Sequence, residues 1–239
     1  MPRLRNRSGR LGFARLVGRT WIVCIAAVMP TLAAAGADSR GEILTALRLT
    51  PDFERGASLY QRACMRCHGA DGGGAPDGSV PAIAAQHTSV IVKQLVDFGQ
   101  GARSNIRMAH VLDHEQLQSP QQLADVAGYV NGLERSGARR QGPGQYVARG
   151  GELYAHECAS CHGDHAQGER ATAVPLLAGQ NYEYLVRQLS YARDGQRPGL
   201  ARDHARILAE FSTQDTSAVA DYLSRAALPA DAADAPARQ

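Results

Sequence analysis

The sequence contains no apolar run of the roughly 20 residues that a membrane-spanning helix requires. Its main apolar stretch, Trp21–Ala35, is shorter and is interrupted by Pro30 and Thr31. The residues before Ala37 also lack any acidic side chain, whereas they include six arginines. A basic start, a short apolar stretch and small residues after it are typical of a secretory signal. We therefore expect residues 1–37 to be a cleaved signal peptide, with an uncleaved anchor as the less favoured alternative.

Basic residues no longer outnumber acidic residues once residues 1–37 are removed. Six of the 26 Lys and Arg residues leave with it and none of the 23 Asp and Glu residues do, so 20 against 23 remain and the formal charge is −3. Binding to nucleic acid requires a clustered basic face, which the remaining chain does not show. The predicted signal peptide therefore indicates a periplasmic protein, and the charge indicates that it does not bind nucleic acid.

Cysteine is scarce, and four of the five cysteines fall into two identical patterns. The patterns are Cys64-Met65-Arg66-Cys67-His68 and Cys158-Ala159-Ser160-Cys161-His162. Two cysteines three residues apart on a helical turn lie on one face, so both thiols can reach the two vinyl groups of one porphyrin, and the histidine then points at the iron. The patterns predict two covalently bound haem c groups, with His68 and His162 as proximal iron ligands.

Other uses of these cysteines are less well supported by the pattern. Disulfides occur in exported proteins, but a bridge within one helical turn has poor geometry and leaves both histidines unexplained. A zinc site needs more ligands at close spacing than either half supplies. The fifth cysteine, Cys24, lies inside the predicted signal peptide and lacks the small preceding residue of a lipidation site.

The two halves of the chain are repeats of each other at a gap-free offset of 94 residues. Besides the cysteine patterns, the offset aligns Leu59-Tyr60 with Leu153-Tyr154, Pro81 with Pro175, Gln86 with Gln180, and Arg103 with Arg197. Strand-like alternation is absent, and each unit is predicted to contain three main helices. The fold class is therefore all-α.

Helix signals locate these elements in the first unit. Thr50 and Pro51 suit the cap and first position of a helix. Apolar residues at helical spacing predict a second helix at about 88–98, and a capping box beginning at Ser119 predicts the third. We expect a first domain at 50–135, a linker at 136–146, a second domain at 147–226 and a disordered tail at 227–239.

The repeat resembles the class I cytochrome c fold, and its tandem form is similar to the dihaem cytochrome c-four type. The resemblance covers about residues 50–226. It implies that the carbonyls of Pro81 and Pro175 accept a hydrogen bond from the proximal histidines, which would fix the imidazole tautomer. It also places Gly56 and Gly150 where the first and last helices cross.

Methionine is too scarce to give each haem the distal methionine that this family usually has. Of the four methionines, Met1 and Met29 lie in the predicted signal and Met65 is held between two haem-linked cysteines, so Met108 alone remains. At most one haem can then have His/Met ligation. For the second haem we predict His204 as the distal ligand, with an open iron or His165 as alternatives.

The distal ligand of the first haem is open between two residues. Met108 and His110 are two positions apart and cannot both face the iron from one helix. The gap-free repeat places His110 opposite His204, whereas the family pattern favours Met108, which we prefer; His114 is a third candidate. Arg103 and Arg197 are either partners of haem propionates or solvated surface residues.

Together these features predict an exported dihaem cytochrome that carries single electrons between the redox partners of a respiratory chain. A distal thioether raises the potential and a second imidazole lowers it, so transfer from the second haem to the first is favoured. The alternatives are a peroxidase-like dihaem oxidoreductase with one substrate-accessible haem, or a haem subunit of a larger dehydrogenase complex. The expected partners are transiently bound redox proteins, with association with a membrane-bound respiratory complex as a further option. The leading interpretation assigns no catalytic residue.

Overall fold

The computed structural model describes residues 39–114, 117, 119–135 and 140–227. The predicted signal peptide, residues 136–139 of the predicted linker and the tail from residue 228 lie outside them. Eleven helices occur in the described part of the chain: α1 Ser39–Arg48, α2 Phe53–Ala63, α3 Met65–His68, α4 Thr88–Gly99, α5 Ile106–His114, α6 Pro120–Asn131, α7 Val147–Glu157, α8 Ala159–His162, α9 Tyr182–Arg193, α10 Arg202–Ala209 and α11 Thr213–Arg225. The all-α prediction is confirmed.

Extended structure in the described ranges is limited to one isolated antiparallel bridge between Glu169 and Val174. In the same part of the chain, no helix combines the length and the apolar character needed to cross a lipid bilayer.

Helices α2–α6 and α7–α11 repeat the same order, with a long helix, a motif helix, a middle helix, a short helix and a final helix. The middle helix occupies almost its predicted range. The predicted capping box is present at the start of α6, where Ser119 and Gln122 cap each other, and Ser212 and Asp215 do the same for α11. The short helices α5 and α10 were not predicted.

The predicted start of the first helix is wrong by a few residues. Asp52, not Thr50, is the N-cap of α2, because its backbone is extended and its carboxylate accepts the N–H of Arg55 at 2.9 Å. Pro51 therefore precedes the helix and packs close to Gly128 of α6. An aspartate next to a Thr-Pro pair offers two plausible caps, and the sequence alone does not choose between them.

Helix α1 has no counterpart among the described residues of the second repeat and was not predicted. It packs on α4 and α6 and buries Ala46 in an apolar cluster with Val92, Val96, Leu123 and Ala127. This extra helix covers one side of the first repeat.

The first and last helices of each repeat cross at a glycine. A Cβ on Gly56 would lie 2.2 Å from the carbonyl oxygen of Asp125, and a Cβ on Gly150 would lie 2.0 Å from that of Ala218. No side chain fits at such distances, so the two backbones touch directly. The predicted role of both glycines at the helix crossing agrees with this geometry.

The two repeats pack together through glutamines that exchange equivalent hydrogen bonds. Gln86 donates to the carbonyl of Leu176 at 3.0 Å and accepts the N–H of Leu176 at 3.0 Å. Gln180 makes the same pair of bonds with Ala82, at 2.7 and 2.9 Å. Since Ala82 and Leu176 are related by the offset of 94, the contact has approximate two-fold symmetry.

The described part of the predicted linker, residues 140–146, is held against the second repeat. The N–H groups of Gly142 and Gly144 donate to Ser224 and Asp221 of α11, and the carbonyl of Arg140 accepts from Tyr182. This part of the connection is therefore an ordered portion of the second repeat.

Candidate functional site

Each cysteine pattern lies at the junction of two helices. In the first repeat α2 ends at Ala63, and the N–H groups of Cys67 and His68 donate to the carbonyl of Cys64 at 3.1 and 2.9 Å. The turn leaves Cys64 half-buried, Cys67 exposed and His68 buried. The first thiol and the imidazole therefore face the interior, while the second thiol lies at the surface.

The second repeat has the same arrangement at Cys158, Cys161 and His162. None of these four described cysteines takes part in a disulfide. Burial raises the pKa of Cys158 to about 11, so this thiol is protonated at neutral pH before any reaction.

The proximal histidines are oriented by backbone carbonyls. Nδ1 of His68 lies 3.0 Å from the carbonyl oxygen of Pro81, and Nδ1 of His162 lies 3.1 Å from that of Pro175. A carbonyl only accepts, so Nδ1 donates and Nε2 keeps its lone pair for a metal. Burial also lowers the pKa of both histidines, which favours the neutral form that binds iron.

Buried tyrosines hold each motif helix in place. The hydroxyl of Tyr60 donates to the carbonyl of Gly69 at 2.6 Å, and Tyr154 makes the same bond to Gly163. The tyrosine rings pack against Tyr129 and Tyr222, with centroids 5.3 and 5.4 Å apart. The repeated Leu-Tyr pair seen in the sequence thus positions the motif, a role that the sequence analysis did not assign to it.

The structure brings His204 close to the proximal histidine of the second repeat. His204 is the third residue of α10, and its ring centroid lies 6.1 Å from that of His162. Burial, followed by the nearby His162 and Arg197, lowers the pKa of His204 to about 4. The imidazole is therefore neutral above that pH.

In the first repeat Met108 holds the equivalent position. Met108 is the third residue of α5, and it packs on the apolar cluster that Cys64 also contacts. His110 has an exposed side chain two positions further along. The gap-free pairing of His110 with His204 is therefore wrong in this segment, because the loop before α10 is two residues longer than the loop before α5.

Of the two remaining histidine candidates, the structure describes the side chain of His165 only. His165 is exposed on the loop after the second motif, and the side chain of His114 lies outside the described residues. The sequence does contain a signal for the alignment of α5 with α10. Leu112 and Leu208 are both buried, and each lies four positions after the third residue of its helix.

Two arginines meet at the junction of the repeats near the second site. Arg103 donates to the hydroxyl of Tyr184 at 2.9 Å and to Gln188 at 2.8 Å, both on α9 of the other repeat. Burial and the neighbouring Arg103 lower the pKa of Arg197. Both arginines are thus partly buried and close to each other. Their positive charges are suited to pairing with the propionate carboxylates of a haem.

The residues around both motifs fit a covalently held porphyrin. Leu59, Phe98, Val126 and Val130 form the cluster that Cys64 and Met108 border. In the second repeat Leu176, Leu185 and Leu208 are among the buried residues that pack against Cys158. Each site therefore combines two thiols, one oriented imidazole and an apolar wall, which is the set that a c-type haem requires.

Comparison with known proteins agrees with this donor set. The cytochrome c family model matches residues 53–134 and again residues 147–227. The chain is 30% identical over 168 residues to cytochrome c4 of Pseudomonas aeruginosa, covering 67% of this chain and 82% of that protein. It is 34% identical over 176 residues to a Stutzerimonas stutzeri protein named thiosulfate dehydrogenase electron acceptor, covering 71% and 81%.

A solved structure shares the arrangement of both repeats. The crystal structure of reduced cytochrome c4 from Pseudomonas stutzeri superposes with a TM-score of 0.66 at 26% identity, over 74% of this chain and 100% of that one. Two family matches, two complete attachment motifs and one tandem helical fold lead to a single conclusion. The chain belongs to the cytochrome c family and is a dihaem electron-transfer cytochrome, homologous to the cytochromes c4, with one covalently bound haem c in each repeat.

Proposed function

We propose that this cytochrome is an exported, periplasmic carrier whose two haems differ in their distal ligands. Met108 completes the first site and His204 completes the second, so the first haem has the higher potential. Electrons enter at the second haem and leave from the first, on their way between partners of a respiratory chain. The observation that carries this proposal is the 6.1 Å separation of the His162 and His204 rings.

That separation is the one expected for two imidazoles sharing a metal. Two metal–nitrogen bonds of about 2 Å, plus roughly 1 Å from each ring centre to its nitrogen, add to about 6 Å. Direct packing of two rings allows closer approach, with centroids from about 4.5 Å. The spacing thus supports the proposal that His162 and His204 would hold one iron between them, and burial lowers the pKa of His204.

Helix register and burial support Met108 in the first site. It stands at the third position of α5, as His204 does in α10, and its side chain is half-buried against the cluster beside Cys64. His110 is exposed. A thioether stabilises ferrous iron and a second imidazole does so less, which gives the two sites unequal potentials.

The names of the relatives support one kind of electron donor for this cytochrome, an enzyme that oxidises a sulfur compound. One relative of similar length is named as the electron acceptor of a thiosulfate dehydrogenase. We propose a comparable role for this chain, in which an oxidising enzyme of the same compartment reduces the second haem and a terminal acceptor oxidises the first.

Low-temperature electron paramagnetic resonance of the oxidised protein tests the ligands. We expect two distinct low-spin ferric signals in the wild type. Met108→Ala should alter only the first signal and His204→Ala only the second, while the matched control His110→Ala should leave both unchanged. Loss of the first signal in His110→Ala would overturn the assignment of Met108.

Carbon monoxide distinguishes the carrier from the peroxidase-like alternative. Because both irons are six-coordinate in our proposal, the reduced wild type should bind carbon monoxide slowly, and His204→Ala should bind it rapidly at one haem. Rapid binding by the unaltered protein would indicate an open iron and favour an oxidoreductase.

A further inference from the structure

One peptide group in the first repeat joins the proximal histidine to the other repeat. The carbonyl of Pro81 accepts the Nδ1–H of His68 at 3.0 Å. The N–H of the same peptide group belongs to Ala82, and it donates to Oε1 of Gln180 at 2.9 Å. Because Gln180 lies in the second repeat, a single backbone amide links the proximal imidazole of one repeat to a side chain of the other.

The second repeat has the same connection in the opposite direction. Nδ1 of His162 lies 3.1 Å from the carbonyl oxygen of Pro175. The N–H of that peptide group belongs to Leu176, and it donates to Oε1 of Gln86 at 3.0 Å. Each repeat therefore supplies the glutamine that completes the hydrogen-bond chain of the other repeat's proximal histidine.

Backbone partners fix the orientation of both glutamine amides. A backbone N–H only donates, so the atom that faces it must be Oε1. Oε1 of Gln180 also accepts the N–H of Asn181 at 2.9 Å, and Oε1 of Gln86 accepts that of His87 at 3.0 Å. Nε2 of each glutamine donates to the carbonyl of the residue after the proline. Gln180 is 5% and Gln86 7% exposed, so water does not compete for these bonds.

An acceptor on the N–H side of a peptide group makes the carbonyl of that group a better acceptor. Hydrogen bonds in a chain polarise one another, and the effect is larger where the surroundings are buried. A more negative carbonyl oxygen attracts the Nδ1–H of the proximal imidazole more strongly, which increases the donor strength of Nε2. A stronger donor stabilises ferric iron more than ferrous iron and lowers the reduction potential.

We propose that Gln86 and Gln180 are positioning residues that tune the haem potentials across the contact between the repeats. Gln180 lowers the potential of the first haem, and Gln86 lowers that of the second. Each acts through one proline peptide and one proximal histidine. Reduction adds one electron to the iron while the Nδ1 proton stays on the ring. The inference goes beyond the proposed carrier function and does not depend on the distal ligands, because both repeats contain the same proximal chain.

A redox titration of the mature holoprotein followed by proton NMR tests the proposal. The haem methyl signals, assigned by through-space contacts to side chains of each repeat, report the two haems separately whatever their distal ligands. Gln180→Leu removes the acceptor at similar volume. It should raise the ferrous-to-ferric ratio of the first haem about threefold to tenfold at a fixed ambient potential. This is a shift of about 30 to 60 mV, at about 59 mV per tenfold for one electron.

The distinguishing result is the haem that responds. Gln180→Leu, a change in the second repeat, should alter the ratio of the second haem less than about twofold. Gln86→Leu should give the reverse pattern, with the larger shift at the second haem.

Two further variants separate tuning from loss of packing. Ser89→Ala removes a 2.6 Å bond from the first repeat to the carbonyl of Arg170 in the second, and neither proline peptide takes part in that bond. This control should change both ratios less than about twofold. Gln180→Glu keeps a carboxyl oxygen that can accept the N–H of Ala82 in the neutral and in the ionised form, so it should not raise the potential of the first haem.

A purely structural role of the glutamines would not give this crossed pattern. The proposal would be overturned by the absence of a shift, by a shift confined to the haem of the substituted repeat, or by equal shifts at both haems. A rise in Gln180→Glu as large as that in Gln180→Leu, or a comparable shift in Ser89→Ala, would also overturn it. Failure of the proposed distal ligands has a different result, since it appears in the spectra of the wild type and leaves the crossed shifts in place.

Discussion

At the scale of single residues, our proposed ligand assignment makes the third position of the short helix before the last one the source of the difference between the two haems. Met108 and His204 occupy it in the two repeats. Replacing His204 by methionine should raise the potential of the second haem toward that of the first, on the order of 0.1 V within the roughly 0.8 V that axial ligands span. A spectroscopic redox titration measures both potentials. The exposed His165→Met is the control and should leave them unchanged; an unaltered second potential in His204→Met would count against His204 as a ligand.

Asp125 is a second residue with a testable role, and it belongs only to the first repeat. Its carboxylate, 0% exposed, accepts the N–H of Asp52 at 2.8 Å, Nε of Arg55 at 2.7 Å and the amide of Gln121 at 2.8 Å. Burial raises the pKa of Asp125, but these three donors outweigh it and hold the pKa below its usual value.

The lowered pKa of Asp125 predicts a loss of stability in acid. Because the folded pKa is below the unfolded one of about 3.9, the carboxylate stabilises the fold fully above that pH, and the contribution is lost as the pH falls through the folded pKa. Asp125→Asn should lower the free energy of unfolding by about 2–3 kcal/mol at pH 7 and by less at pH 3. Urea unfolding at both pH values measures this, and the exposed Asp113→Asn should change it by less than about 0.5 kcal/mol. An equal loss at both pH values would show that ionisation is not the cause.

At the scale of helices, the glycine crossings hold the ends of each repeat together. Gly56→Ala and Gly150→Ala each force a Cβ into a carbonyl of the facing helix, and should destabilise their repeat by about 1–3 kcal/mol. Thermal unfolding followed by haem absorbance measures the loss.

The neighbouring glycine is the control for this prediction. A Cβ on Gly151 would lie 3.4 Å from the ring of Tyr222, an ordinary contact. Gly151→Ala should therefore be neutral or stabilising by up to about 1 kcal/mol. If all three variants behaved alike, intrinsic helix propensity and not the helix crossing would be the cause.

The helices also show which parts of the fold the sequence could predict. The middle and last helices were predicted because apolar spacing and a capping box are local signals. Helix α1 was missed, since its stability comes from packing on α4 and α6 and its own pattern is weak. The register of α10 was missed because the extra residues lie in a glycine-containing loop, where the sequence does not show which position absorbs an insertion.

The residues of the two candidate sites also divide into those that the sequence could predict and those that it could not. The cysteines and proximal histidines follow from a contiguous motif, and the carbonyls of Pro81 and Pro175 follow from the family resemblance. The approach of His204 to His162 joins residues from distant parts of the repeat. In the sequence, elimination of other ligands and the family-like spacing of His204 before Phe211 and Tyr222 pointed to it.

At the scale of the whole molecule, Gln86 and Gln180 connect the repeats through buried bonds. Gln86→Ala with Gln180→Ala leaves the backbone groups of Ala82 and Leu176 without partners, at about 1–3 kcal/mol for each unsatisfied group. We expect calorimetry to show one unfolding transition in the wild type and two in the double variant. Gln196→Ala, at an exposed side chain, should retain a single transition. One transition in the double variant would mean that other contacts couple the repeats.

A contact in which each half offers its partner the same groups is the kind that forms isologous dimers. If the two repeats were separate chains, they would associate through this contact only at a sufficiently high concentration. Joining them in one chain makes the encounter intramolecular and raises the effective concentration to about the millimolar range. A small contact area is then enough to keep the two redox centres at a constant separation, however dilute the protein becomes.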